Sequence, residues 1–349
     1  MIGGKRAFCV ALKKGNVTVK VEGNLASDFK PIIKESQVAW VNFVVDDVFT
    51  DGETIAEFLG FSSEMVTTLL ASKNSGYEDR DNELGILLPA VSTTNMDVTI
   101  HPLVILIRKG LIFSFHDKAI SRLVNFSRYA EVFMKKLGAK SSWEDKMTLL
   151  LWRIMDENNS KNFDHLREIE EQADGLVKEL MDPQTPREQL GGKIYTMKHA
   201  LIVYLDSLWA TLDVVNTLRY GDAETMTDDP QLLNRISSLA NELTTQISLT
   251  EHMSEVLASG LEVLQAIYNN QLQILNNRLA LVVAWLTVLG TAVLVPNTLA
   301  TLLGISKLSD GLDGFTIIAI LIASTVISVI FSYWFIAKKC NILPRSCTP

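Results

Sequence analysis

Along the first hundred residues the apolar positions fall into short runs separated by turn-forming residues: 8–12, 17–21, 39–45, 84–91, and 104–108 followed by 111–115 across Lys109-Gly110. Runs of this length, rich in β-branched and aromatic side chains, predict strands. Between them a helical spacing begins near Asp51-Gly52-Glu53 and carries Ile55, Phe58 and Leu59. Residues 1–117 therefore predict an α/β domain.

Beyond Asp117 the period changes to that of helices rich in Leu, Glu and Lys. One predicted helix is capped by Ser141 with Glu144 three positions on. It passes through Leu150, Ile154, Phe163, Leu166 and Ile169 to Met181, where Asp182-Pro183 stops it. A second covers 186–218, and 219–228 interrupts the pattern with Gly221 and several acids, so 118–229 predicts a helical layer. Asp229-Pro230 then places a capping side chain before a proline suited to a first helical turn.

No proline follows until Pro296, which predicts a stalk helix over 230–278 that continues without a break into what comes after. At about 1.5 Å per residue such a helix is on the order of 100 Å long. Met253, Leu257, Leu261, Leu264, Tyr268, Leu272 and Leu275 repeat in steps of three and four, close to an 11-residue period. A lone helix cannot bury that stripe, so it needs the other helices of this chain or further copies of the chain.

The strongest pattern lies at the end of the chain, where 279–306 holds 28 residues and 314–337 holds 24, neither with a charge. Each exceeds the roughly 20 apolar residues that span a bilayer. The reading is a first transmembrane helix at 279–303, an external loop at 304–313 carrying Lys307, Asp310 and Asp313, a second transmembrane helix at 314–337, and a basic tail at 338–349. Arg278 precedes the hairpin and Lys338, Lys339 and Arg345 follow it. This distribution predicts a multi-pass protein of the cell (inner or plasma) membrane with both termini cytoplasmic.

Charge sharpens the picture. Of 32 basic and 40 acidic residues, five basic and two acidic lie in 278–349, which leaves 27 against 38 in the remainder. An acidic body on a basic-flanked anchor suits cations and lipid as partners and not nucleic acid. The opening MIGGKRAFCVALKKG is too short in apolar residues for a secretory signal. Cys9, Cys340 and Cys347 form no CxxC pair, which fits free thiols.

Following one face of the long helix into the membrane gives Asn270, Gln273, Asn277, Ala280, Ala284, Thr287, Thr291, Leu294 and Thr298. At membrane depth a stripe of amides, small residues and hydroxyls lines either a helix interface or a water-filled path. From Arg235 to Arg278 no Lys or Arg intervenes, while Glu242, Glu251, Glu255 and Glu262 are present, as a solvated helix face or as a vestibule that attracts cations. Oxygen donors of these kinds suit a hard ion such as Mg²⁺. Nothing in the sequence carries a Walker, GxGxxG, HExxH or GxSxG pattern, so no enzyme is expected and no cofactor is required. His101, His116, His165, His199 and His252 are scattered, and Asp46-Asp47 and Asp228-Asp229 fit turn and capping roles.

The α/β domain, helical layer, long stalk helix running into the first span, short loop, second span and basic tail together resemble the CorA-type magnesium transporters and their ZntB-like zinc relatives. The words AWVNFVVDD, HPLVILIRKGLIFSFHD and NNQLQILNNRL share that likeness. The resemblance implies a funnel-shaped homopentamer with the first spans around its axis and the second spans outside. In the second span Ala319, Ala323, Ser324, Ser328 and Ser332 offer a side for close packing. The resemblance also implies divalent ions as transported or regulatory partners. At the outer mouth Gly304-Ile305-Ser306 stands where the family carries Gly-Met-Asn. Serine is shorter and brings one hydroxyl in place of an amide, and Lys307 adds a positive charge beside it. Two functions follow as expectations: a divalent-cation transporter or channel whose pore is lined by the first span, with Leu294 and Leu302 as apolar constrictions, or a non-conducting pentameric scaffold or sensor.

Overall fold

The computed structural model describes residues 3–94, 97–137, 141–181, 187–220, 223, 225–305, 311 and 313–342. They form two compact units, residues 1–262 and 263–349. The first contains a seven-stranded sheet of β1 (Gly3–Lys13), β2 (Val17–Leu25), β3 (Ser36–Val44), β4 (Gly76–Arg80), β5 (Glu83–Thr94), β6 (Asp97–Arg108) and β7 (Leu111–His116), in the order β2-β1-β3-β7-β6-β5-β4. Only β3 and β7 run parallel; the other neighbours are antiparallel. The Lys109-Gly110 turn joins β6 to β7 with Gly110 at φ +76°, where a Cβ would stand 3.1 Å from the Gln37 carbonyl.

Both faces of the sheet are covered, which is why its central strands read as continuous apolar runs. On one face Cys9, Val41, Phe43, Val104, Leu106, Phe113 and Phe115 meet Ile55 and Leu59 of α2 (Thr50–Leu59) and Met65 and Leu69 of α3 (Ser63–Ala71), with α1 (Lys30–Glu35) at the edge. The fit is close: a Cβ on Gly52 would fall 2.1 Å from the Phe115 ring. The opposite face packs on α4 (Arg122–Phe126), α5 (Ala130–Lys135), α6 (Trp143–Asn159) and α8 (Arg187–Arg219), and α7 (Asn162–Met181) lies against α8.

That second face buries a chain of polar side chains. Trp40 Nε1 donates to Ser114 Oγ at 2.9 Å, Ser114 Oγ donates to Asn42 Oδ1 at 2.7 Å, and Asn42 Nδ2 lies 3.2 Å from His116 Nε2. His116 Nδ1 is 2.6 Å from the Asp117 carbonyl, so the proton sits on Nδ1 and Nε2 accepts. Asn42, Ser114 and His116 are fully buried, and burial holds the imidazole down to about 4.

The helix expected from Ser141 to Met181 is two helices. Ser142, one residue later than expected, caps α6 reciprocally with Asp145. The break follows from the short polar side chains after Glu157, which compete with the helix backbone. Ser160 Oγ takes the Glu157 carbonyl at 2.9 Å, and Asn162 Nδ2 bonds Asn159 Oδ1 at 2.6 Å and Gln246 Oε1 at 3.2 Å. Strand β4 and helix α3 had no expectation in the sequence.

Helix α9 (Pro230–Leu303) is one element of 74 residues that passes from the first unit into the second. Asp229 Oδ1 accepts from Gln231 N at 2.9 Å and caps it. Helix α10 (Gly314–Ile342) follows, its first turn anchored by the Asp313 carbonyl. Among the described residues, three helices are long and apolar enough to cross a membrane: residues Leu190–Arg219 of α8, α9, and Gly314–Phe335 of α10. Half of the most apolar stretch of α8 is already buried in the first unit, against 6% for α9 and none for α10.

Candidate transport site

The Met253-to-Leu275 stripe divides on α9. Met253 and Leu257 are buried by the chain's own helices, whereas Tyr268, Leu272 and Leu275 are 58%, 43% and 56% exposed. Asn270, Gln273 and Asn277 are exposed as well. Of the acids on this helix, Glu251 and Glu255 are at the surface, while Glu242 is half-buried and accepts from Asn159 Nδ2 at 3.0 Å. Burial, then the charge of Asp156, raises the Glu242 carboxyl above its usual range.

Within the second unit α9 and α10 meet through hydroxyls. Thr291 Oγ1 donates to its own helix at the Val288 carbonyl, 2.9 Å away, so Ser332 Oγ, at 2.9 Å, donates to Thr291. Ser328 Oγ donates to the Thr291 carbonyl at 3.1 Å. These two serines belong to the small-residue side expected to pack closely. On the flank of α9 toward α10, Ala284, Val288, Thr291, Ala292, Leu299 and Leu303 are covered in whole or part, and Gly290 and Pro296 are partly covered elsewhere on the helix. Thr291 is thus directed at α10, because its face of the helix is the flank on which the two helices touch.

At about 100° per residue, the side of α9 roughly opposite that contact carries Thr287, Gly290, Leu294, Asn297, Thr301 and Gly304, in steps of three and four. Thr287, Leu294, Asn297 and Thr301 are exposed, and a Cβ on Gly290 would meet nothing within 4 Å. The hydroxyl protons of Thr287, Thr298 and Thr301 go to the carbonyls of Val283, Val295 and Asn297, each at 2.8 Å. Their oxygens therefore turn lone pairs outward, and Asn297 adds an amide. Such a face can accept hydrogen bonds from the water around a cation, or coordinate the cation itself. Thr287, Leu294 and Thr298 lie on or next to it. The Asn297 amide, not among the expected residues, was visible as the one carboxamide inside the first uncharged stretch. Gly304 and Ile305 close the helix; Ser306, Lys307 and Asp310 lie outside the described residues, and Asp313 is exposed.

Other residues singled out in the sequence make local contacts. Asp47 accepts from Phe49 N at 2.9 Å and Thr50 Oγ1 at 3.0 Å at the start of α2, and these bonds hold its carboxyl below the usual range. His101 pairs with Asp117 at 2.6 Å, and His199 stacks on Tyr195. Cys9 is buried, which pushes its thiol up to about 12 and leaves it inert. Among the described residues no group of three His, Cys, Asp or Glu side chains could hold a metal.

A family described as CorA-like Mg²⁺ transporter protein matches residues 35–339. No curated protein matches the chain in sequence. Among solved structures, the complete CorA magnesium transporter of Methanocaldococcus jannaschii aligns over 97% of this chain and 98% of its own, with a TM-score of 0.67 and 17% identity. The full-length CmaX protein aligns over the same shares with a TM-score of 0.61 and 16% identity. The cytoplasmic domain of ZntB from Vibrio parahaemolyticus RIMD 2210633 covers 76% of this chain and 99% of its own, with a TM-score of 0.57 and 15% identity.

Proposed function

The chain belongs to the CorA-like Mg²⁺ transporter family, a family of metal-ion transporters and not of enzymes, and we propose that it conducts divalent cations through a pore built from the membrane half of α9. The observation that carries this reading is the exposed stripe Thr287, Leu294, Asn297, Thr301 and Gly304, with Gly290 partly covered within it, on the side of α9 away from α10. Polar groups at membrane depth avoid lipid. With α10 already on the opposite flank, the stripe faces the α9 helices of other copies around a shared axis.

Five copies suit the family resemblance, and the exposed Tyr268, Leu272 and Leu275 are the surface such copies would cover. The path continues along Asn270, Gln273 and Asn277. Thr291 acts as a packing residue at its edge, and Leu294 is the apolar constriction. Two spans, α9 and α10, cross the bilayer, with residues 1–278 and the tail in the cytoplasm and Gly304-Ile305-Ser306 at the outer mouth. Mg²⁺ is the first ion to test, since the M. jannaschii protein is a magnesium transporter. The ion is cargo, and no cofactor takes part.

The second reading, a non-conducting pentameric scaffold, draws on Ser306 and Lys307 at the mouth, a smaller and more positive ring than an asparagine supplies. Uptake of Mg²⁺, Zn²⁺, Co²⁺ and Ni²⁺ into proteoliposomes separates the two. Uptake of at least one ion above empty vesicles is the expected result; none of the four entering would leave the scaffold standing.

A further inference from the structure

Outside the membrane helices, a cavity of about 170 Å³ opens in the first unit between the end of β5, strand β6 and the starts of α4 and α7. Its chemistry comes from Ser92, Thr93, His101, Arg122, Lys161 and His165. None of these belongs to the ion path.

Arg122 is the unusual member. Its guanidinium is half-buried and donates to two backbone carbonyls, those of Asn158 and Val91. No carboxylate pairs with it among the described residues, and burial lowers its pKa from the ordinary value. A guanidinium has five N–H donors, so three remain. A half-buried cation held only by backbone carbonyls keeps its charge and its remaining donors available to an anion.

Two further features give the cavity the same sign. Lys161, which lines the cavity, stands immediately before α7, a helix of 20 residues. His165, one turn on, is held down to about 4 by burial and then by the charges of Arg122 and Lys161. Two acids lie nearby and offset part of this field: Asp117, bonded to His101 at 2.6 Å, and Asp164, exposed on α7. Tyr204 Oη, 3.4 Å from His165 Nδ1, is neutral, with burial raising its pKa.

We propose that this pocket binds a phosphate-type dianion, either inorganic phosphate or the phosphate group of a monoester whose remainder stays in solvent. Arg122 and Lys161 supply charge and Thr93 a hydroxyl, beside the Ser92 hydroxyl that is bonded to Thr99 Oγ1 at 2.7 Å. Size sets the class. Liquid water occupies roughly 30 Å³ per molecule, so the cavity holds one tetrahedral anion with some of its water. It falls below the roughly 300 Å³ at which pockets begin to enclose drug-sized ligands, so a whole nucleotide does not fit.

Calorimetric titration of the full chain in detergent tests this, with inorganic phosphate, glycerol 3-phosphate and, at matched ionic strength, chloride as probes. The expected result is saturable binding of one phosphate or phosphomonoester per chain and no binding of chloride. Tighter binding of glycerol 3-phosphate than of phosphate would identify a monoester; the reverse would identify the free ion. Lys161→Gln, at an exposed position, should weaken binding about tenfold. Lys193→Gln, which removes an equal charge on α8 away from the pocket, should leave it unchanged. Absence of phosphate and monoester binding in the wild-type chain, or equal weakening by both substitutions, would overturn the proposal.

Discussion

Asn297 and Thr291 are six residues apart on one helix and, in the proposed pore, do different work. Thr291 completes a hydroxyl bridge to Ser332, while Asn297 sits on the open side. Asn297→Leu should therefore cut ion flux at least tenfold with the protein still assembled. Thr291→Val should leave flux within about twofold and weaken α9–α10 packing by roughly 0.6 kcal/mol, the usual worth of such a bond between membrane helices. Flux measured in vesicles of equal protein content checks both. A second residue-scale prediction concerns His116. It is neutral when folded with its pKa near 4, and its ordinary value is 6.5. Its contribution is therefore fully present above pH 6.5 and is lost as pH falls from 6.5 through 4, up to about 3 kcal/mol. Denaturant midpoints at pH 7 and pH 4.5 should differ less for His116→Gln than for the wild-type chain. The hydroxyl and amide character of α9 was legible from spacing alone, but which of its faces meets α10 was not. Thr287-Thr291-Thr298 and Thr287-Asn297-Thr301 are both helical stripes, and only the position of Ser328 and Ser332 distinguishes them. The Trp40-Ser114-Asn42-His116 chain was equally hidden, because it joins residues more than 70 positions apart through the parallel pairing of β3 with β7.

At the level of elements, buried strands announced themselves as apolar runs, and α9 announced itself through Asp229-Pro230 and the absence of later helix breakers. Strand β4, GYEDR, has no apolar run, and it is a strand because β5 pairs with it at the edge of the sheet. The α6–α7 break lay in ENNSKN, a polar string whose side chains find their partners, Glu242 and Gln246, on α9. Sequence distance concealed that contact. Length and apolarity alone also fail to separate α8 from a membrane helix; what separates it is burial against β4, β5 and β6. In a background without other cysteines, Trp209→Cys on α8 should react with a membrane-impermeant maleimide once the cytoplasmic side is opened. Leu286→Cys on α9 should stay unreactive, as lipid or a neighbouring helix covers it. Protection of both positions would make α8 a third span.

For the molecule as a whole, an acidic body, a long helix and an uncharged hairpin were legible in order along the chain, and a single helix, α9, runs through the last two of these from the first unit into the second. Of the proposed assembly only a need for cover was legible: Tyr268, Leu272 and Leu275 are exposed among the described residues. Light scattering on the detergent-solubilised protein should give a protein mass of five chains of 38.8 kDa, and Leu272→Glu should shift it toward smaller species; a single-chain mass for the wild type would remove the axis on which the pore depends. The central claim is that the side of α9 away from α10 borders the ion's path, and cysteine block of conduction tests it most directly. In proteoliposomes carrying Thr301→Cys, a positively charged thiol reagent should abolish cation flux, while Leu299→Cys, on the α10 side, conducts as before. Block at position 299 with flux through position 301 untouched would contradict the account.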